Sequence, residues 1–131
     1  MKKTILPPVY RDIRRLLVHN ETMVKQFSRY HKYTVGTDLR QQAMRMMRTV
    51  HRAAYDRERL AEHVKNLVWS VDDYKLTLQL AMDVGAFHQG AKGQSHFNAF
   101  EVAVELAVTI GKQCGGWHQA LNRTASSAGG G

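Results

Sequence analysis

The sequence predicts an all-α fold, an antiparallel (up-down-up-down) four-helix bundle, on three observations. Apolar residues recur at steps of three and four along four long stretches. No segment alternates apolar and polar residues over the length of a strand. Two prolines in 131 residues leave nearly the whole chain free to be helical. The length suits one domain, residues 1–124, followed by a Ser/Gly tail over 125–131 that cannot bury apolar surface and is expected to be flexible. Apolar types make up 44% of the chain, enough for a core. A mean hydropathy of -0.42, with no apolar run near about eighteen residues, argues against a membrane span.

The first helix is expected from about Pro8 to Phe27, since proline suits a first turn whose N–H groups are unpaired anyway. Val9, Ile13, Leu16, Leu17, Met23, Val24 and Phe27 share one side, and Asn20 sits on the same track, facing a partner helix or an interface. Residues 28–36 show no helical periodicity and read as a linker, with Thr37 or Asp38 as N-cap of the second helix. That helix runs to about Tyr55 on a face of Leu39, Ala43, Met46, Met47, Val50, Ala53 and Ala54. Asp56 then reads as the cap of a third helix, with Arg59 at N3, extending from Arg57 to His88. Leu60, Val64, Leu67, Val71, Tyr74, Leu78 and Ala81 give it a sustained seam at alternating steps of four and three. Val68, Trp69, Leu76, Leu80 and Met82 add apolar surface outside the seam, so this helix is expected to touch more than two neighbours. A break at residues 89–94, with Gly90 or Gly93 at a helix C-terminus, precedes a fourth helix from about Ser95 to Leu121. Its face is Phe97, Phe100, Val104, Ala107, Val108, Gly111 and Cys114. Small residues at 103, 107 and 111 permit close helix approach, and Gly115-Gly116 is a candidate end or interruption. Surplus apolar surface on the third and fourth long helices predicts self-association into a closed ring or dimer.

Charge is lopsided. Residues 1–65 carry 15 basic and 6 acidic side chains, whereas residues 66–131 carry 4 and 5, within a total of +8. Such a basic half favours a polyanionic partner, because like charge otherwise only repels itself. Arg45, Arg48 and Arg52 fall on one face of the second helix, with Arg40 before them and only Asp38 opposing. Arg29 and Lys32 lie in the preceding linker among Tyr30, His31 and Tyr33. Arg11, Arg14, Arg15 and Lys25 lie mostly off the apolar side of the first helix, and Arg57 and Arg59 follow the second. Guanidinium forks suit phosphate oxygens, and tyrosines among cations can stack on unpaired bases. These residues, Arg29, Lys32, Arg40, Arg45, Arg48, Arg52, Arg14 and Arg15, are the candidate nucleic-acid contacts. The competing readings are a solvated arginine face and a docking face for an acidic protein.

The sequence offers little toward catalysis. Seven histidines invite a metal, yet no Glu is followed three residues later by His, and His51, His63, His88, His96 and His118 do not pair with acids on an inward face. No cofactor is expected. A single cysteine, Cys114, excludes an intrachain disulfide and reads as a small core residue in a chain of the reducing cytoplasm. Asp72 and Asp73 diverge by about 100° on a helix and are expected to offset cations rather than act as a pair. No phosphate-binding glycine loop is present. The opening Met1–Pro8 lacks an apolar stretch and does not read as a secretory signal, so the acceptor triplets at Asn20 and Asn122 carry no weight.

The order of a first amphipathic helix, the aromatic, basic and glycine-ended run Phe27-Ser28-Arg29-Tyr30-His31-Lys32-Tyr33-Thr34-Val35-Gly36, the stretch Leu39–Ala54, and Arg59-Leu60 opening a long helix resembles the accessory variability determinant family of diversity-generating retroelements. It is more distantly similar to four-helix-bundle proteins encoded in bacterial ribosomal RNA intervening sequences. The likeness covers residues 8–121; many relatives have Pro where this chain has Ser28. The resemblance implies a homopentameric barrel of four-helix bundles without chemistry of its own. Such a protein would bind the element's reverse transcriptase, RNA and DNA in a bacterial cell and support mutagenic copying of a template RNA. Arg29 and the Arg45, Arg48, Arg52 face would be the matching basic surface. A stand-alone RNA-binding module, like the ribosomal-insert proteins, is the alternative.

Overall fold

The computed structural model describes residues 6–88 and 96–129. Within them the chain is all-helical: α1 (Val9–Lys25), α2 (Arg29–Tyr33), α3 (Val35–Tyr55), a 3-10 turn (Arg57–Arg59), α4 (Leu60–Asp83) and α5 (Phe97–Gly129). Among the described residues there is no strand. Helices α3 and α5 each pack against both α1 and α4, so α1 and α4 face one another across a shared core, and α2 rests on α3.

The 3.6-residue periodicity gives the core almost residue for residue on α1, α3 and α4. Val9, Ile13, Leu16, Met23, Val24 and Phe27 are buried from α1 and the chain after it, and Leu39, Ala43, Met46, Val50, Ala53 and Ala54 from α3. The α4 seam is buried from Val64 to Ala81, with Leu60 half-buried at its start. Asn20, the polar member of the α1 track, is also buried. It accepts a hydrogen bond of 2.7 Å from the Tyr74 hydroxyl of α4, which spans the core. Burial without a nearby charge raises the Tyr74 pKa, so the phenol stays protonated and donates.

The structure corrects the sequence reading at four places. Residues 28–36 are not an irregular linker. Arg29–Tyr33 form the single-turn α2, and α3 begins at Val35, before the expected caps Thr37 and Asp38. The backbone replaces a side-chain cap here, as the carbonyl of Thr34 accepts from the amides of both Thr37 and Asp38. Gly36 makes this compact corner possible. A Cβ there would lie 2.8 Å from Val24 Cγ1 and 2.9 Å from the His31 carbonyl oxygen.

Secondly, Asp56 does not cap the next helix through its side chain. It precedes the 3-10 turn, and its Oδ2 lies 2.9 Å from His63 Nε2 one turn into α4. The His63 hydrogen bond holds the Asp56 carboxyl below the ordinary carboxylate range.

Thirdly, α4 stops at Asp83 instead of His88. Gly85 takes φ +86°, the left-handed region open to glycine. The amide of Ala86 bonds the carbonyl of Ala81 and that of Gly85 the carbonyl of Met82, which makes a Schellman ending. The reversal drives Ala86 and Phe87 into the core, where Phe87 meets Phe27 and Phe100 edge-on at 5.1 and 5.2 Å and closes one end of the bundle. The expected break at 89–94, with Gly90 or Gly93 as terminator, and the start at Ser95 lie outside the described residues.

Fourthly, α5 runs uninterrupted through Gly115 and Gly116 to Gly129, past the expected end at Leu121 and into the stretch read as a tail. Its core face is also rotated from the expected one. Ala103, Ala107, Ile110 and Cys114 are fully buried at steps of four, three and four, while Phe97 and Val108 are exposed. Close approach at the small residues holds: Gly111 lies under the Lys75 side chain, whose Nζ would be 3.0 Å from an added Cβ. Two side-chain bonds also tie α1 to α5. His19 Nε2 donates to the Ala99 carbonyl at 2.8 Å, and Gln113 Nε2 donates to Asp12 Oδ2 at 2.6 Å.

Candidate nucleic-acid interface

The strongest cationic feature is the outer face of α3. Its inward positions are filled by the apolar track, so the helical period turns Arg45, Arg48 and Arg52 outward, and all three are exposed. No described carboxylate lies within salt-bridge distance of any of them, although residues such as Asp38 and Glu21 occur on the same or adjacent helices. Their charge is therefore available to an outside anion.

The remaining candidates divide into smaller groups. Arg40 is exposed but its Nε lies 2.8 Å from Glu21 Oε1 on α1. An exposed pair of this kind contributes only about 0–1 kcal/mol and can be exchanged for a phosphate. Arg40, Lys32 and Lys25 line one groove of about 400 Å³ together with Glu21. Arg14 and Arg15 join Arg11 around a second groove of about 510 Å³ along α1, beside the exposed Val18. Arg15 is loosely paired with Asp12 at 3.9 Å. Arg29 is exposed at the start of α2 and shares neither groove. The fold thus gathers Lys32 with Arg40, Arg14 with Arg15, and the α3 triplet along one helix. The sequence places Arg11 and Lys25 off the apolar side of the first helix but does not single them out as contacts. Arg11 stands one turn before Arg14 and Arg15 and could have been found by that spacing, whereas Lys25 joins Arg40 only through the α1–α3 contact.

Other chemistry is quiet. Cys114 is fully buried, and loss of solvation pushes its thiol up to about 12, opposed in part by the Lys75 ammonium. It is protonated at neutral pH and a poor nucleophile. Asp72 does offset a cation, Lys75, at 4.0 Å. Among the described residues no cluster of three or more His, Cys, Asp or Glu is placed to hold a metal ion, and no helix is long and apolar enough to cross a membrane. A concave, largely apolar site of about 490 Å³ is lined by the start of α1, Ala54, Arg57, Gln113 and Trp117.

No protein-family model matches the chain, and comparison with curated proteins and with solved structures returns no match. The family likeness described above therefore rests on the residues quoted for it.

Proposed function

We propose that this protein is a non-enzymatic accessory subunit that binds nucleic acid and a retroelement reverse transcriptase, supporting mutagenic copying of a template RNA. The observation that carries the reading is the exposed row Arg45, Arg48 and Arg52, which has no internal carboxylate partner among the described residues. Three guanidinium groups at helical spacing offer bidentate contacts to successive phosphates while the α3 backbone fixes their separation. Nothing in the arrangement reads base edges in a duplex groove, so affinity would come from charge and shape. In the same reading the helices alternate up and down and assemble into a barrel-like homo-oligomer, a pentamer by family likeness. The antiparallel order is supported by Tyr10 meeting His51 near one end of the α1–α3 pair and Glu21 meeting Arg40 near the other. Assembly is supported by Trp69, Leu76 and Leu80, large apolar side chains that stay exposed on α4 among the described residues.

The test is a salt titration of binding to template-like RNA and to DNA, for the native chain and for a triple variant, Arg45→Gln, Arg48→Gln and Arg52→Gln. If the row neutralises three phosphates, the variant's log–log salt slope is shallower by about 2 on single strands and about 2.7 on duplex. An unchanged slope with the helical content intact removes the row from the interface. Co-purification with the reverse transcriptase then separates the accessory role from a stand-alone RNA-binding module, since capture is expected only for the former.

A further inference from the structure

We infer that the C-terminal end of the α3 arginine row is a stacking platform for an unpaired nucleotide, with the Tyr55 ring as its surface. The inference rests on the nucleic-acid reading and adds to it the class of strand: single-stranded RNA or DNA in preference to duplex.

Tyr55 continues the row. Positions 45, 48, 52 and 55 step by three, four and three, which keeps all four side chains on one face over about 15 Å of helix. The residue is 62% exposed, although its ring lies nearly parallel to the His51 ring, with centroids 6.0 Å apart and planes 11° from coplanar. His51 is in turn braced edge-on by Tyr10 of α1 at 5.2 Å. The His51 ring, itself braced from α1, thus lies against Tyr55, which keeps much of its surface in water, beside Arg52 one turn earlier and Arg48 a further turn back. Burial does not explain this ring, and neither does a hydrogen bond, since its hydroxyl makes none within the described chain. A flat apolar face next to phosphate-binding cations is what an unpaired base can use. Bases inside a duplex have their faces already stacked and offer only their edges. A pre-oriented ring also loses little rotamer freedom when a base lands on it.

The test compares three ligands of about a dozen units with the full-length protein: a single-stranded oligouridylate or oligothymidylate, an abasic strand of the same length and charge, and a duplex. The native chain is expected to bind the base-bearing strand about tenfold more tightly than the abasic one (~1.4 kcal/mol). Tyr55→Ala should abolish that difference while leaving the salt slope unchanged, and Tyr55→Phe should keep it. Agreement between the RNA and DNA arms supports stacking, which needs no 2′-hydroxyl, whereas a preference confined to RNA overturns a general platform. Equal affinity for base-bearing and abasic strands, or a preference that survives Tyr55→Ala, overturns the platform while leaving the phosphate row standing. Failure of all ligands to bind overturns both.

Discussion

The outer faces of α3 and α4 are built from the same helical period and present opposite chemistry. On α3 the outward positions carry Arg45, Arg48 and Arg52, with an aromatic ring at the end. On α4 they carry Trp69, Leu76 and Leu80, which are 65%, 72% and 53% exposed, among the exposed carboxylates of Glu62, Asp72, Asp73 and Asp83. Both helices bury a complete apolar stripe on the other side, so neither outer face is needed to hold the chain together. The difference teaches that the lopsided charge of the sequence becomes a spatial separation. One helix presents cations with no described carboxylate partner and its neighbour an apolar, acid-flanked ridge, the arrangement expected if the proposed phosphate contacts fall on the first and protein contact on the second.

The separation can be broken from beneath. Phe87 is fully buried at the closed end of the bundle, on neither outer face. Phe87→Ala should cost about 3–5 kcal/mol of folding stability, read as a fall in the denaturant midpoint, and with it both faces should fail together. A smaller effect isolates the link between α1 and α4. Tyr74→Phe leaves the buried Asn20 oxygen without its donor and should cost about 1–3 kcal/mol; adding Asn20→Leu should restore most of it, because the orphaned acceptor is then gone. Strand binding by the refolded Tyr74→Phe chain should stay native. The smallest effect on folding sharpens the contrast. Trp69→Ser with Leu76→Ser should move the stability of the single chain by no more than about 0.5 kcal/mol, as both are exposed. The same pair should reduce self-association measured by sedimentation and leave the salt slope of nucleic-acid binding unchanged. If self-association is seen and survives the pair, the α4 ridge is not an assembly surface.

What was legible in the sequence follows the range of the interaction. The α4 seam from Val64 to Ala81 and the α3 row could be read because each is a repeat within one helix, and local sequence fixes angular position on a helix. The end of α4 could not be read in the same way. Ala86 and Phe87 keep an apolar pattern past Gly85, and only the positive φ of that glycine, together with the space between Phe27 and Phe100, turns them into a plug. Gly115 and Gly116 misled in the other direction. Nothing lies within 4 Å of a Cβ at either, so the helix bears the loss of propensity while Cys114 and Trp117 on either side pack against the rest. The α5 face was shifted because Phe97 and Val108 are apolar yet exposed, so apolar type alone did not mark the buried side. In the site, the arginines were visible from composition and spacing. The Tyr10–His51–Tyr55 group was not, since residues 10 and 51 meet only when α1 packs on α3.

The bond between Asn20 and Tyr74 has a consequence for the geometry of everything outside it. Helices held only by aliphatic contact can slide and regain much of what they lose. A slide of α4 by one turn, about 5.4 Å, would strand an amide and a phenol in a dry interior with nothing to bond. This one polar pin indexes the two diagonal helices, so the ridge on α4 and the arginines reached through α3 stand at a fixed height relative to each other, like the teeth of a key.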